Sequence, residues 1–156
     1  MKKKRIAFYG IKYFPSKGGT SRVVENLIFR LKEDYHITIY CYKNPKAKTH
    51  ISDVRTIEFP EIRIGNLGTF LYYLFCFFHI RFRGDYNIIH AHKIDSFLFL
   101  SRLSRKAKVI ATVHEAPYKS AKWGWFAKKY FKICEQIFLK FKGTKTSISK
   151  SLAAYY

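Results

Sequence analysis

Acidic side chains are scarce in this sequence of 156 residues, where 10 Asp and Glu stand against 30 Lys and Arg. The resulting formal net charge of +20 at pH 7 predicts that some polyanion is a neighbour of the protein. Cysteine is also scarce, and the three cysteines, Cys41, Cys76 and Cys134, form no Cys-x-x-Cys pair. This pattern excludes a disulfide framework or a zinc knuckle and fits a reducing compartment.

Long hydrophobic runs are missing as well. The longest apolar run, residues 70–80, is about half of the ~20 residues needed to cross a bilayer. It could still lie in a membrane interface, because short apolar helices with basic ends can dock there without crossing. No secretory signal is visible, since the basic residues 2–5 are followed by only a few apolar residues before Lys12 and Pro15. We therefore expect a cytoplasmic protein.

What is present is an alternation of short β-rich runs with longer amphipathic runs. The predicted strands are residues 5–9, 36–42, 54–58, 86–91, 108–113 and 144–148. The predicted helices follow Gly19, span residues 66–82, 94–104 and 121–142, and begin again near Ser149. Strands and helices that alternate in this way indicate an α/β fold with a parallel sheet and helices on both faces. A single domain is expected to fill residues 1–156.

Ligands of such folds lie outside the carboxyl ends of the strands. The loops that follow strands here are residues 10–21, 90–95, 114–119 and 147–150. The first loop places Gly18 and Gly19 at the start of a helix that Thr20 or Ser21 can cap. Free backbone N–H groups at that start favour a phosphate or another anion, and a structural tight turn fits the same residues equally well. The loop matches neither the dinucleotide-binding fingerprint nor the P-loop.

Histidines supply the other candidate chemistry. His90 and His92 lie two apart on a strand end, so their rings point the same way, and Asp95 or His114 could join them around a metal ion. No complete ligand set with a recognisable spacing exists, so no metal is expected; the alternative is that one ring is packed and the other bonds to a loop. His114 ends a predicted strand and precedes Glu115. It can donate to a ligand hydroxyl or phosphate and titrate near neutral pH, or be purely structural.

The last third of the chain is the most basic, with thirteen Lys and Arg and two Glu in residues 102–156. The predicted helix 121–142 has two faces by its 3.6-residue period. Its core face is predicted to hold Trp123, Phe126, Ala127, Tyr130, Cys134, Ile137, Phe138 and Phe141. Its basic face is predicted to hold Trp125, Lys129, Lys132, Gln136 and Lys140. That face is either solvated or in contact with anionic lipid, which attracts each cation by about 1 kcal/mol.

The order of several short motifs resembles a known family. A first strand and a Gly-Gly loop are followed by "TSRVVENL", "YNIIHAH", "VIATVHE" and "SISKSLAAYY". Together they resemble the amino-terminal half of glycosyltransferase family 4 enzymes, which have the GT-B fold. The stretch "AKWGWFAKKYFKICEQIFLKF" is similar to the rhamnosyltransferase-like subgroup that builds bacterial surface polysaccharides.

The resemblance implies a Rossmann-like, three-layer domain on the acceptor side of a two-domain enzyme. It implies a retaining transfer of a sugar from a nucleotide diphosphate sugar to an acceptor hydroxyl, without a metal or another cofactor. Family acceptors are often lipid-linked sugars at the inner membrane leaflet. We therefore expect a peripheral location at the inner face of the plasma membrane, with Lys129, Lys132 and Lys140 facing anionic lipid.

The resemblance also implies roles for particular residues. Gly18, Gly19 and Thr20 would border the donor phosphates and the acceptor, and His114, as the catalytic residue, would contact the transferred sugar near the reacting centre. The remaining residues expected to line the cleft are His92, Glu115 and Ser149.

The nucleotide-binding second domain of the family is absent from this sequence. We therefore expect no activity from the chain alone, and a separate polypeptide carrying the donor domain is a possible partner. The alternative is a non-enzymatic basic module that binds nucleic acid or anionic membrane. Nucleic acid is the less favoured partner, because the aromatic residues mostly fall on core-facing positions and no recognition motif is found.

Overall fold

Six parallel strands form one sheet in the computed structural model, which describes residues 3–15, 19–43, 53–104, 106–116 and 123–156. The strands are β1 (Lys4–Tyr9), β2 (Tyr35–Tyr42), β3 (Val54–Phe59), β4 (Ile88–His92), β5 (Lys108–Val113) and β6 (Thr144–Ser147). Their order across the sheet is β3-β2-β1-β4-β5-β6. Every strand pair is parallel. The predicted α/β fold with a parallel sheet is confirmed.

Helices cover both faces of this sheet. Those in the described residues are α1 (Thr20–Leu31), α2 (Asn66–Arg83), α3 (Trp125–Lys140), α4 (Lys150–Tyr155) and a 3₁₀ helix (Ile94–Arg102). Successive side chains of a strand point to opposite faces, and in β1 Ile6 and Phe8 pack with α1 while Ala7 and Tyr9 pack against α2 and the 3₁₀ helix. Two cores therefore lie on the two sides of one sheet, and the result is a three-layer, Rossmann-like domain.

The segment predicted as the helix 94–104 is a 3₁₀ helix of nine residues over Ile94–Arg102. Apolar periodicity does not separate 3₁₀ from α winding over so short a run. Two hydroxyls hold its first turn. The Ser96 hydroxyl donates to the carbonyl of His92 (2.8 Å), with the carbonyl of Lys93 2.9 Å from the same oxygen, and the Tyr130 hydroxyl donates to the carbonyl of Asp95 (2.6 Å).

Buried tyrosines connect the layers at the carboxyl ends of the strands. Tyr72 donates its hydroxyl to the carbonyl of Ile11 (2.6 Å), and the carbonyl of Tyr40 lies 2.8 Å from the same oxygen. Tyr9 donates to the carbonyl of Ser96 (3.1 Å). Buried hydroxyls need such partners, and these bonds fix the backbone just after β1, where the candidate site begins.

Helix α3 begins at Trp125, and the residues 121 and 122 of the prediction lie outside the described part of the chain. The prediction that Phe126 belongs to the core is wrong, because 81% of its surface is exposed. Phe131, absent from the predicted core face, is buried instead and packs its ring edge against Trp123 at 5.1 Å. The first turn of α3 is less buried than the centre of the helix. The 3.6-residue period predicts which face of a helix points inward, but not how far along the helix the burial extends.

The sequence of helix α2 is apolar nearly all round, a pattern that fits either burial in the core or contact with lipid. The structure buries one face, including Tyr72, Tyr73 and Cys76, and exposes Phe78 and Phe82 on the other. Among the described residues, no helix combines the length and the hydropathy that crossing a membrane requires.

Candidate functional site

A crevice opens at the carboxyl ends of β1 and β4, where the strand order reverses. Such a reversal is the usual ligand position in open parallel sheets. Gly10, directly after β1, has φ +92°, and a Cβ there would overlap the backbone carbonyl of His92 at the end of β4. Only glycine permits this close approach of the two strand ends.

The crevice has a volume of about 550 Å³. It is lined by Ile11, Lys12, Gly19, Thr20, Ser21, Val23, Lys93, His114, Glu115 and Ile148. The structure therefore brings together four residues singled out from the sequence, namely Gly19, Thr20, His114 and Glu115. Gly18 lies outside the described residues.

Helix α1 points its amino terminus into this crevice. Gly19 occupies the N-cap position with φ +56°, no side chain in the described part of the chain caps the helix, and its first turn holds no acidic residue. Thr20 or Ser21 was predicted to cap the helix, but both residues already lie inside its first turn. A helix start leaves N–H groups without partners and carries partial positive charge, so this end of α1 can receive an anion.

Two lysines in the crevice were not singled out from the sequence. Lys12 follows β1 and Lys93 follows β4, the latter with φ +69°. Burial and the charge of Lys93 lower the pKa of the Lys12 ammonium. Both lysines lie in loops that directly follow a strand. A cationic residue just after a predicted strand end was the sequence feature that could have identified them as site residues. With Glu115 as the acidic residue of the lining, the crevice favours an anionic ligand.

Three histidine rings form a stack that runs from the sheet to the crevice. The rings of His90 and His92 are 4.0 Å apart between centroids, which confirms that they point the same way. His90 Nε2 lies 2.7 Å from the Thr112 hydroxyl, and His92 Nδ1 lies 3.0 Å from His114 Nε2. His92 is 0% exposed, so it lies beneath His114 and does not itself reach the crevice surface.

Burial keeps this stack neutral. Burial, with a further contribution from the Lys93 charge, lowers the pKa of His114 to about 4. Burial and the neighbouring His114 lower the pKa of His90 to about 4. Burial, with contributions from His90 and His114, holds the pKa of His92 well below its usual range. The sequence allowed His114 to titrate near neutral pH. In the structure its lowered pKa makes it a neutral imidazole at pH 7.

The proton positions of the stack follow from its hydrogen bonds. Nε2 of His92 is buried and has no hydrogen-bond partner among the described residues. A buried N–H without an acceptor is costly, so the His92 proton belongs on Nδ1, where it is donated to His114 Nε2. A neutral imidazole has one proton, and that of His114 is then on Nδ1. His114 can therefore donate one hydrogen bond to a ligand.

Ser149 is not brought to the crevice. Its hydroxyl caps α4 by accepting a hydrogen bond from the Leu152 N–H at 3.2 Å. Its neighbour Ile148 lines the crevice instead. Ser149 follows a strand end, as a site residue should, but the start of the next helix uses its side chain.

The described residues contain no group of three or more His, Cys, Asp or Glu side chains that could hold a metal ion. The crevice also places two lysines beside His114, and cationic neighbours are unfavourable for a bound cation. Cys41, Cys76 and Cys134 are buried free thiols.

The predicted basic face of α3 is exposed. Lys129, Lys132 and Lys140 all lie at the surface, and the Lys129 ammonium is 5.2 Å from the ring centroid of Trp125, which is 66% exposed. This helix therefore presents cations and a large aromatic ring side by side.

The strand order and the crevice at its reversal define an α/β, Rossmann-like domain with an anion-favouring site. The chain belongs to Glycosyltransferase Family 4, whose family model matches residues 17–156. No curated protein matches the sequence.

Solved structures agree on the fold. The chain is similar to sucrose-phosphate synthase from Thermosynechococcus elongatus, with a TM-score of 0.68 and 18% identity over 98% of this chain and 44% of that one. A second structure of sucrose-phosphate synthase from that organism has a TM-score of 0.63 and 16% identity, over 97% of this chain and 80% of that one. The chain thus spans less than half the length of the first of these structures.

Proposed function

We propose that this chain is the acceptor-side domain of a retaining, metal-independent glycosyltransferase that takes its sugar from a nucleotide diphosphate sugar. The observation that carries the proposal is the convergence of the α1 amino terminus, Lys12, Lys93 and His114 on one crevice. Membership of Glycosyltransferase Family 4 supports the same reaction class. The rest of the donor site would come from a second domain, in the same or a separate polypeptide.

Each group in the crevice has a role in this proposal. The N–H groups at the start of α1 and Lys93 offset the charge of the donor diphosphate, and Lys12 is the second cation of the crevice lining. His114, a neutral donor, binds a hydroxyl of the transferred sugar near the reacting centre. Glu115, an exposed carboxylate, accepts a hydrogen bond from an acceptor or sugar hydroxyl. His92 holds the ring and the proton of His114 in place, which makes it a positioning residue.

Inorganic pyrophosphate is the probe that tests the crevice. We expect it to shift the amide resonances of Gly19, Thr20 and His114 in NMR spectra of the chain, and Lys93→Met to weaken the binding about tenfold, the effect of losing one charged contact. The matched control is Lys43→Met, which removes an exposed lysine outside the crevice. Equal binding by both variants, or shifts elsewhere on the chain, would refute the proposed diphosphate site.

We further propose that the acceptor is a lipid-linked sugar of bacterial surface polysaccharide synthesis, as in the rhamnosyltransferase-like subgroup, and that the domain docks on the inner leaflet. Support comes from the net charge of +20 and from cations next to exposed aromatic rings on α2 and α3. Anionic lipid attracts each nearby cation by about 1 kcal/mol, and large aromatic rings are favoured at the membrane interface.

Vesicle binding tests the docking surface. The chain should bind phosphatidylglycerol vesicles in low salt, and Lys129→Glu with Lys132→Glu should weaken that binding. The matched control, Lys3→Glu with Lys4→Glu, changes the charge equally at exposed residues by the amino end of β1. A preference for single-stranded nucleic acid over these vesicles would instead support the nucleic-acid alternative.

A further inference from the structure

A second cavity lies beside the crevice, between α2, the 3₁₀ helix and the start of α3. Its volume is about 440 Å³, within the ~300–1,000 Å³ of typical ligand pockets. Its apolar walls are Leu67, Phe70, Trp123, Phe126, Ala127 and Phe131. The crevice attracts anions, whereas this cavity offers mainly hydrocarbon and aromatic surface.

Large apolar side chains at this cavity are exposed. Leu67 is 56% exposed, from the first turn of α2, and Phe126 is 81% exposed, from the first turn of α3. Exposed apolar surface around a concave site is typical of a groove that binds an apolar ligand. An occupant of the cavity would remove part of both side chains from water.

The polar lining of the cavity includes two tyrosines that bond to Asp95 and one lysine that can bind an anion. The Tyr73 hydroxyl donates to Asp95 Oδ2 at 3.0 Å, and the Tyr130 hydroxyl donates to the Asp95 carbonyl at 2.6 Å. These bonds fix the wall between α2, the 3₁₀ helix and α3. Lys12 lines both the cavity and the crevice, and its ammonium is 3.5 Å from the Thr69 hydroxyl. A cation therefore stands where the apolar cavity meets the anionic site.

We propose that this cavity binds the hydrocarbon chain of the acceptor, whose phosphate lies at Lys12. The ligand class is a lipid phosphate or diphosphate: the chain fills the space between α2 and α3, and the head group extends from Lys12 toward His114. The inference rests on the proposed function and deepens it, because it assigns the apolar part of the acceptor to a built cavity in this domain rather than leaving it in the bilayer.

Trp123 supplies a specific reporter. The chain has two tryptophans, so Trp125→Phe leaves Trp123, in the cavity wall, as the source of tryptophan emission. Three probes are titrated below their micelle-forming concentrations: octyl phosphate, octyl glucoside with the same chain and a neutral head, and inorganic phosphate with no chain. Octyl phosphate should change the emission saturably and bind about tenfold more tightly than octyl glucoside. Inorganic phosphate should leave the emission unchanged.

Substitutions locate the two parts of the site. Ala127→Phe fills the cavity and should weaken octyl phosphate binding about tenfold or more, with pyrophosphate binding unchanged; its control is Ala154→Phe, at an exposed position of α4. Leu67→Asp, at an exposed position, should weaken octyl phosphate binding and leave the free energy of unfolding nearly unchanged. Lys12→Met should reduce the affinity for octyl phosphate to that for octyl glucoside, and Lys43→Met should not.

The results that would contradict the inference can be told apart from those that would contradict the proposed function. If pyrophosphate binds the crevice but octyl phosphate does not bind the cavity, this inference is overturned and the proposed function stands. If both octyl compounds bind equally and Lys12→Met changes neither, the cavity is a general apolar site for membrane chains or a protein side chain, and the inference is again overturned. If pyrophosphate also fails to bind, the proposed function falls with it.

Discussion

Gly10 and His114 are the residues whose environments most directly determine the site. Gly10 allows the ends of β1 and β4 to meet, because a side chain there would overlap the backbone of His92. His114 receives its neutral state from burial and from Lys93, and its proton position from His92. The chemistry of each residue is therefore set by neighbours from another strand or loop.

Gly10→Ala should lower the free energy of unfolding by about 3 kcal/mol or more, which combines overpacking with the cost of a left-handed backbone. Urea denaturation followed by circular dichroism measures this change. Gly124→Ala is the matched control, because Gly124 has φ −68° and an added Cβ there meets nothing within 4 Å. Equal stability of the two variants would contradict the close approach of β1 and β4.

Lys93→Met should raise the pKa of His114 above its value of about 4, because an unfavourable positive charge is removed while burial persists. Titration by NMR of the ring nitrogens measures this pKa and also reports the tautomer. At pH 7 we expect the proton of His114 on Nδ1. Lys43→Met, at an exposed site outside the crevice, is the control; a fall in the His114 pKa in the Lys93 variant would contradict the electrostatic explanation.

At the scale of elements, α2 and α3 combine a buried face with an unusual exposed one. Helix α2 buries Tyr72 and Cys76 while Phe82 is 73% exposed with the Arg81 guanidinium 5.7 Å from its ring centroid. Helix α3 pairs Lys129 with Trp125 in the same manner. Apolar rings next to cations are what the proposed docking on an anionic membrane surface would use.

Phe82→Ser should reduce binding to phosphatidylglycerol vesicles severalfold, since burial of an aromatic side chain in the interface contributes about 1–2 kcal/mol. It should change the free energy of unfolding by less than about 0.5 kcal/mol, as is usual for an exposed position. Phe29→Ser is the matched control, because Phe29 is 51% exposed on α1, a helix that packs on the opposite sheet face. Equal loss in both variants would argue against docking through α2.

The whole molecule should lose stability in acid through its histidine stack. The pKa of His90 is depressed to about 4 in the folded state, against about 6.5 when unfolded. The unfolded chain therefore binds more protons below pH 6.5, and stability falls as the pH drops from 6.5 toward 4. His90 alone can account for about 3 kcal/mol of that loss.

His90→Gln should reduce the slope of the free energy of unfolding against pH between 6.5 and 4, because glutamine does not titrate, while His92 and His114 keep their own contributions. Urea midpoints measured across this range test the slope. His36→Gln, at an exposed position of β2, is the control and should keep the slope of the unchanged chain. A slope that both variants share with the unchanged chain would mean that His90 is not a source of acid sensitivity.

Much of the fold could be predicted from the sequence, because its causes are local. Alternating apolar runs, glycines in loops and helical periods placed six strands and most helices within a few residues of their observed bounds. Those placements also identified the loops after β1, β4 and β5, which now surround the crevice. The predicted burial of Phe126 was wrong, because helical periodicity does not show how far tertiary cover extends. The helix predicted over residues 94–104 is present as a 3₁₀ helix, whose winding the periodicity does not specify.

The sequence by itself determined the α/β class, the strong positive charge and the set of loops that could carry a site, since each depends on residue type and spacing along the chain. Only the tertiary structure decided that Lys12, Lys93 and His114 share a crevice while Ser149 caps α4, and that the histidine stack is neutral. Those outcomes depend on strand order, on the contact between Gly10 and His92, and on burial. All three arise from residues far apart in the chain, so local patterns along the sequence do not predict them.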